Sequence, residues 1–252
     1  MAAERTNAGD PERTLKLLWR EQDAGTQRGP RPGLSVDAVV AAATAIADAE
    51  GLRAMTMRRV AQDLGVVAMT LYTYVPGKAE LLDLMLDAAY AAMPHTDTAG
   101  RPWRERVTAV AAENRALFER HPWVVGVATS RPLLGPGALA KYEHELSAFD
   151  GLRLDDVDLD SALTFVLEFV RGWARSRAEA ETARCESRMT DEQWWATNGP
   201  LLARVLDERT YPLASRVGSA VGAAHGTAYD PQHAYDFGLG RVLDGLETLI
   251  GS

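Results

Sequence analysis

The sequence lacks the raw material of several protein classes. Its 252 residues hold one cysteine, Cys185, set in the polar stretch TARCESR, so neither an internal disulfide framework nor a cysteine-rich zinc site can be built. No uninterrupted apolar run approaches the roughly eighteen residues of a membrane span. The opening MAAERTNAGDPERT has no apolar stretch of the kind a secretory leader needs. Long period-two alternation is missing, and so are internal repeats, which argues against a β-rich or solenoid fold. Among the five histidines (His95, His121, His144, His225, His233) there is no HExxH spacing. GxSxG, phosphate-loop and dinucleotide-binding glycine patterns are also absent. His144 stands between Glu143 and Glu145 in YEHEL, but neighbours in sequence diverge on a helix and do not form a ligand set. The expectation is a cytoplasmic protein with no metal, no cofactor, no membrane contact and no catalytic residues.

What remains is ordinary soluble composition, 46% hydrophobic and 25% charged, with a net charge of −8. That charge excludes a protein that coats nucleic acid by bulk attraction. The charge is uneven, though. From Arg28 to Lys78 there are six basic residues (Arg28, Arg31, Arg53, Arg58, Arg59, Lys78) and four acidic ones, a window of about +2 in an acidic chain.

Apolar residues recur at helical spacing throughout, so the fold class is all-α. Residues 1–10 read as disordered. Asp10-Pro11 opens a short helix reaching about Asp23, with Leu15, Leu18 and Trp19 on one face. GTQRGPRPG, Gly25–Gly33, is a linker whose Arg28 and Arg31 suit an arm. Ser35 caps a helix that Gly51 ends, and Leu34 with Val39 occupies the staple positions. Thr56 caps the next helix, which Gly65 stops. A very short helix follows, Ala68 to Tyr74, and a longer one runs from Lys78 to Met93. Further helices are expected at about 103–120, 122–129, 136–149, 158–181, 190–207 and 231–250, with Gly218–Pro231 as a small-residue loop.

The short helix poses the question. A helix of two turns is not stable alone, yet it carries Thr70, Tyr72, Thr73 and Tyr74. At about 100° per residue, Val67, Leu71 and Val75 share one side with Ala68 beside them, Tyr74 lies near its edge, and Met69, Thr70, Tyr72 and Thr73 point away. Two helices joined by a tight glycine turn form a helix-turn-helix, whose second helix enters the major groove. Threonine and tyrosine hydroxyls bond phosphates or base edges, and threonine and methionine methyls touch the thymine methyl.

The run RRVAQDLGVVAMTLYTYVPGKAELLDLML resembles the DNA-binding domain of the tetracycline-repressor (TetR) family of bacterial transcriptional regulators, over about Leu34 to Met93. The resemblance implies a three-helix DNA-binding domain joined by its fourth helix to a helical ligand-binding and dimerisation domain. It places Arg58 at a base- or phosphate-contacting position, and Ala68, Met69 and Thr70 at base contacts. Tyr72, Tyr74 and Lys78 fall at phosphate contacts, and Thr73 joins them on the outward face. Val67 and Ala68 depart from the family's usual polar start to this helix, which shifts specificity toward thymine methyls or DNA shape.

RPLLGPGALAKYEHEL, DEQWW, RVLDERTYP and the terminal FGLGRVLDGLETLI resemble the family's effector domain. From this, Phe118, His121, Trp123, Phe165, Phe169 and Trp173 are candidate lining for an apolar or aromatic small molecule. The segments Leu159–Ala180 and Pro231–Ile250 are candidates for a four-helix homodimer interface. The expected organisation is an N-terminal extension over 1–33, a helix-turn-helix domain over 34–80 and an effector-binding and dimerisation domain over 81–252. The expected function is a ligand-responsive repressor that binds palindromic double-stranded operator DNA as a dimer. A helical small-molecule-binding enzyme and a protein-interaction adaptor are the alternatives, and neither calls for Thr70, Tyr72 and Lys78 on one exposed side.

Overall fold

A computed structural model describes residues 5–20, 34–128, 131–227 and 229–251. All the regular structure among them is helical: α1 (Pro11–Leu18), α2 (Val36–Glu50), α3 (Met57–Asp63), α4 (Ala68–Leu71), α5 (Lys78–Ala91), α6 (Trp103–Arg120), a 3-10 turn (Pro122–Gly126), α7 (Pro136–Ser147), α8 (Asp156–Ser187), α9 (Asp191–Ala203), α10 (Pro212–His225) and α11 (Pro231–Ile250). None of these helices is long and apolar enough to cross a membrane. The chain divides into two compact units, Met1–Leu167 and Glu168–Ser252, with the boundary falling inside α8.

Local chemistry explains the helix starts. Asp10, Ser35 and Thr56 each accept a hydrogen bond from the backbone N–H three residues on, at 2.8, 3.1 and 3.2 Å. Such a cap satisfies an amide that would otherwise be orphaned. Gly51 and Gly65 sit at φ 82° and 65°, in the left-handed region that glycine enters without steric cost.

In the first unit, α5 is the centre. Nine of its fourteen residues are buried, including Leu81, Leu82, Leu84, Met85 and Leu86. It packs on α1, α2 and α7. The approach of α7 is so close that a Cβ at Gly137 would collide with the backbone oxygen of Asp87. Three acids of α5, Glu80, Asp83 and Asp87, are buried as well. Two of them hold neighbouring backbone: Asp83 accepts from Asn7 N at 3.1 and 3.2 Å, and Asp87 from Ala138 N at 2.8 Å. In the second unit, α11 buries Tyr235, Leu239, Val242, Leu243 and Leu246. Trp173 of α8 meets Tyr235 edge-on with centroids 5.0 Å apart.

Several expectations change, and the helix expected at about 122–129 is only a 3-10 turn, Pro122–Gly126. Within residues 1–10, read as disordered, Thr6 and Asn7 are hydrogen-bonded to segments more than 70 positions away; such long-range partners leave no local trace in a polar sequence. α1 ends at Leu18 rather than near Asp23 and buries Leu18, while Leu15 and Trp19 are exposed. Gly218–His225 is helix, not loop: α10 opens on Pro212 and closes on Gly226 at φ 67°, so end signals outweigh the weak propensity of its glycines. The regular helix of α4 stops at Leu71, and turns carry the chain on to Tyr74. The arginine arm, Arg28 and Arg31, lies outside the described residues.

Candidate functional site

The helix-turn-helix is built on two fully buried side chains. Leu71 and Val75 have no exposed surface, and burying a leucine contributes about 2 kcal/mol. That anchoring, together with the packing of α3 on α4, stabilises a helix too short to persist alone. Val67 stands at the N-cap position without a side-chain cap. Val67 is 68% exposed and Met69 77% exposed. Two large apolar residues thus stand open at the start of the short helix.

Around this turn, Tyr72 is exposed, while Ala68, Thr70 and Tyr74 are half-buried. The Thr73 hydroxyl donates to Thr70 O at 2.6 Å, closing the turn on itself. Lys78 Nζ reaches Leu52 O at 3.5 Å and so braces the α2–α3 connection. Arg58 is exposed and makes no ion pair among the described residues, while the next residue, Arg59, is held bidentately by Glu50 at 2.9 and 2.6 Å. The eight sequence-predicted contact residues therefore lie in three adjoining pieces: the start of α3, the α4 turn and the start of α5.

The end of α2 is joined to the helices beyond. Trp123 Nε1 donates to Asp48 Oδ1 at 2.8 Å, and His121 Nδ1 lies 2.8 Å from the same oxygen.

The six sequence-predicted ligand residues divide between the units: Phe118, His121, Trp123 and Phe165 in the first, Phe169 and Trp173 in the second. Phe118 and Trp123 are buried core, and His121 with Trp123 serves the Asp48 joint. Phe165 is exposed. In the second unit Phe169 packs on Tyr235, and Trp173 Nε1 donates to Pro231 O at 2.7 Å. None of the six lines a cavity of about 600 Å³ that opens in the first unit among α5, α7, α8 and the segment before α7. Its wall is Leu86, Tyr90, Leu133, Leu134, Leu139, Leu163 and Leu167. Its polar lining is Arg131, Lys141, Tyr142, Glu145, Asp160 and Thr164. Glu145, buried, accepts from Lys141 Nζ at 2.6 and 2.7 Å and from Asn114 Nδ2 at 2.5 Å, and Lys141 lies 5.3 Å above the Tyr90 ring. Tyr142 OH donates to Asp160 Oδ1 at 2.8 Å, and that hydrogen bond raises the phenol pKa. An apolar body with one polar edge is the ligand chemistry such a wall accepts. The cavity residues sit partly in RPLLGPGALAKYEHEL, the segment that carried the effector-domain resemblance, and its leucines and tyrosine were the available signal.

No cluster of three or more His, Cys, Asp or Glu side chains among the described residues could hold a metal. His95 and His144 instead stack at 4.0 Å, with His144 Nε2 2.8 Å from Glu113 Oε2.

Residues 39–85 match the family described as bacterial regulatory proteins, tetR family, and residues 94–250 match the tetracyclin repressor-like C-terminal domain. The chain belongs to the TetR family of transcriptional regulators. The HTH-type transcriptional repressor DrrR1 of Streptomyces coeruleorubidus is 42% identical over 252 residues, 99% of this chain and 90% of that protein. ActR of Streptomyces coelicolor in complex with (S)-DNPA superposes with a TM-score of 0.69 at 26% identity, covering 88% of this chain and 100% of that one. BioQ with its natural double-stranded DNA operator superposes with a TM-score of 0.52 at 28% identity, covering 60% of this chain and 90% of that one. This TetR-family chain is accordingly a DNA-binding regulator and not an enzyme, built all-α from an N-terminal helix-turn-helix and a C-terminal helical domain.

Proposed function

We propose that the chain works in the cytoplasm as a homodimeric repressor that lays α4 of each subunit in a major groove of a palindromic operator. An apolar or aromatic small molecule in the α5–α7–α8 cavity releases it. The observation that carries the DNA half is the division of one helical turn into fully buried Leu71 and openly exposed Val67 and Met69. In this reading Ala68, Met69 and Thr70 meet base edges, with Val67 and Met69 against thymine methyls. Tyr72, Thr73, Tyr74 and Lys78 meet phosphates, and Arg58 meets a base or a phosphate. The domain limits 1–33, 34–80 and 81–252 belong to the same proposal. So does pairing through α8 and α11, which leave Val157 and Phe165, and Phe237 and Leu249, exposed.

The test is a selection of duplexes from a random pool, followed by titration of the winner at two salt concentrations. Saturable binding to one palindrome that weakens with salt is expected, as counterion release requires. Tyr72→Ala should weaken all duplexes alike, whereas Met69→Ala should lower the preference for thymine. Failure to enrich any sequence would sink the proposal.

A further inference from the structure

The segment Arg5–Arg20 touches both ends of the apparatus just described. At its start, Arg5 pairs with Ala128 in a β-bridge, and Thr6 N donates to Ala128 O at 3.2 Å. Asn7, at φ 56°, turns the chain so that its N–H meets Asp83 of α5. Its side-chain amide reaches Arg131 O and Pro132 O at 3.4 and 3.3 Å. α1 then packs on α5, burying Thr14 and Leu18. Trp19 Nε1 donates to Leu134 O at 2.9 Å. Arg20, also at positive φ (54°), aims its guanidinium at Asp37 in the first turn of α2, with Nη2 to Oδ1 at 2.6 Å. Residues 131–134 form one lip of the 600 Å³ cavity, and α2 is the first helix of the DNA-binding domain.

We infer that Arg5–Arg20 is a coupling strap: it holds the backbone of the cavity lip with one set of groups and the start of α2 with another, so displacement of either is felt at the other. The inference rests on the reading of the cavity as effector site and of α4 as DNA reader. Coupling between sites needs an element that both ends bias, and this segment has named contacts at each. Two non-glycine residues in the left-handed region mark a backbone held in place by its contacts.

The test uses the full chain and three variants. Asn7→Gly keeps the positive φ and the N–H to Asp83 but removes the two bonds to the lip. Arg20→Gln removes the charge that meets α2. Glu12→Gln changes an exposed α1 residue that pairs with Lys16 and serves as the control. Amide exchange of the free proteins is read first. Asn7→Gly should speed exchange in the first turn of α2, and Arg20→Gln should speed it at Thr6, Asn7 and 131–134, while the control matches the parent. Effects confined to each variant's own end would overturn the strap. The duplex selected above is then added. It should alter exchange at 131–134 in the parent and less so in Arg20→Gln, with duplex affinity shifted about two- to fivefold, the range of an exposed ion pair. A parent whose lip ignores the bound duplex would overturn the coupling. A parent that binds no duplex would overturn the regulator reading instead, and the free-protein exchange would still decide whether the two ends are linked.

Discussion

Up to Leu167 the chain hides most of its large apolar side chains; from Glu168 onward it leaves two whole helices bare. α5 buries nine residues, whereas α9 and α10 bury none. Trp194, Leu201, Leu202, Val205, Leu213 and Val217 all stand exposed on or beside those two helices, and a cavity of about 540 Å³ lies between them, lined by Trp195, Leu202, Leu206 and Val221. The first unit closes its core within one chain. The second leaves those large apolar residues open on and around α9 and α10.

Titration separates the units in the same way. Burial raises the pKa of Asp83 to about 6, opposed by the Asn7 N–H and reinforced by Glu80, and burial raises Asp87 too. In the second unit Asp207 and Asp230 move the other way, lowered chiefly by the Thr210 hydroxyl and the His233 N–H respectively. Asp83 and Asp87 sit in a poor solvent, whereas Asp207 and Asp230 are held by hydrogen bonds.

The contrast can be broken at its strongest point first. Phe237→Asp on α11 places a charge on the face proposed for subunit pairing, and sedimentation should show the dimer weakened about a hundredfold or more, as for an aromatic anchor; an unchanged dimer would move the interface elsewhere. Gly137→Ala attacks the closed core, since the new methyl meets α5 backbone. Urea unfolding should show about 3 kcal/mol lost, and a neutral result would mean α7 has room to shift. Third comes pH. The fold binds the Asp83 proton more tightly than the unfolded chain does, so this contribution is full below an ordinary carboxylate pKa of 3.8 and is lost as pH rises through about 6. Parent stability should fall by on the order of 2 kcal/mol across that window from this group, and Asp83→Asn should flatten the fall. Asp207 and Asp230 act in the opposite sense, losing their contribution on acidification. The smallest effect is expected at Thr190, whose hydroxyl and Gln193 form a reciprocal cap at the start of α9. Thr190→Ala should cost about 1 kcal/mol, read as faster amide exchange along α9 with unfolding of the first unit unmoved.

The same division governs what was readable in advance. Caps at Asp10, Ser35 and Thr56, the stop at Gly65 and the span of α6 are local chemistry, and they stand where the sequence placed them. Leu71 and Val75 against Met69 and Tyr72 is helical periodicity, equally local. The cavity is not local: Leu86, Leu133, Tyr142 and Leu163 come from four separate stretches, and each alone reads as ordinary core. The docking of Asn7 on Asp83 spans 76 positions, and nothing in the polar opening of the chain announces it. α10 was hidden for another reason, since glycines argue against helix one at a time while Pro212 and Gly226 define it from outside.

α2 is fastened at both ends. Its first turn meets Arg20 through an ion pair whose side chains are 41% and 76% exposed, and its last turn meets His121 and Trp123 through Asp48, with His121 only 12% exposed. Between these two pins Val39, Val40, Ala43, Ile46 and Ala47 are buried, and the helix packs on α3 and α5. Salt water loosens the outer pin and hardly touches the inner one. Raising the salt should therefore free the Asp37 end of α2 before the Asp48 end.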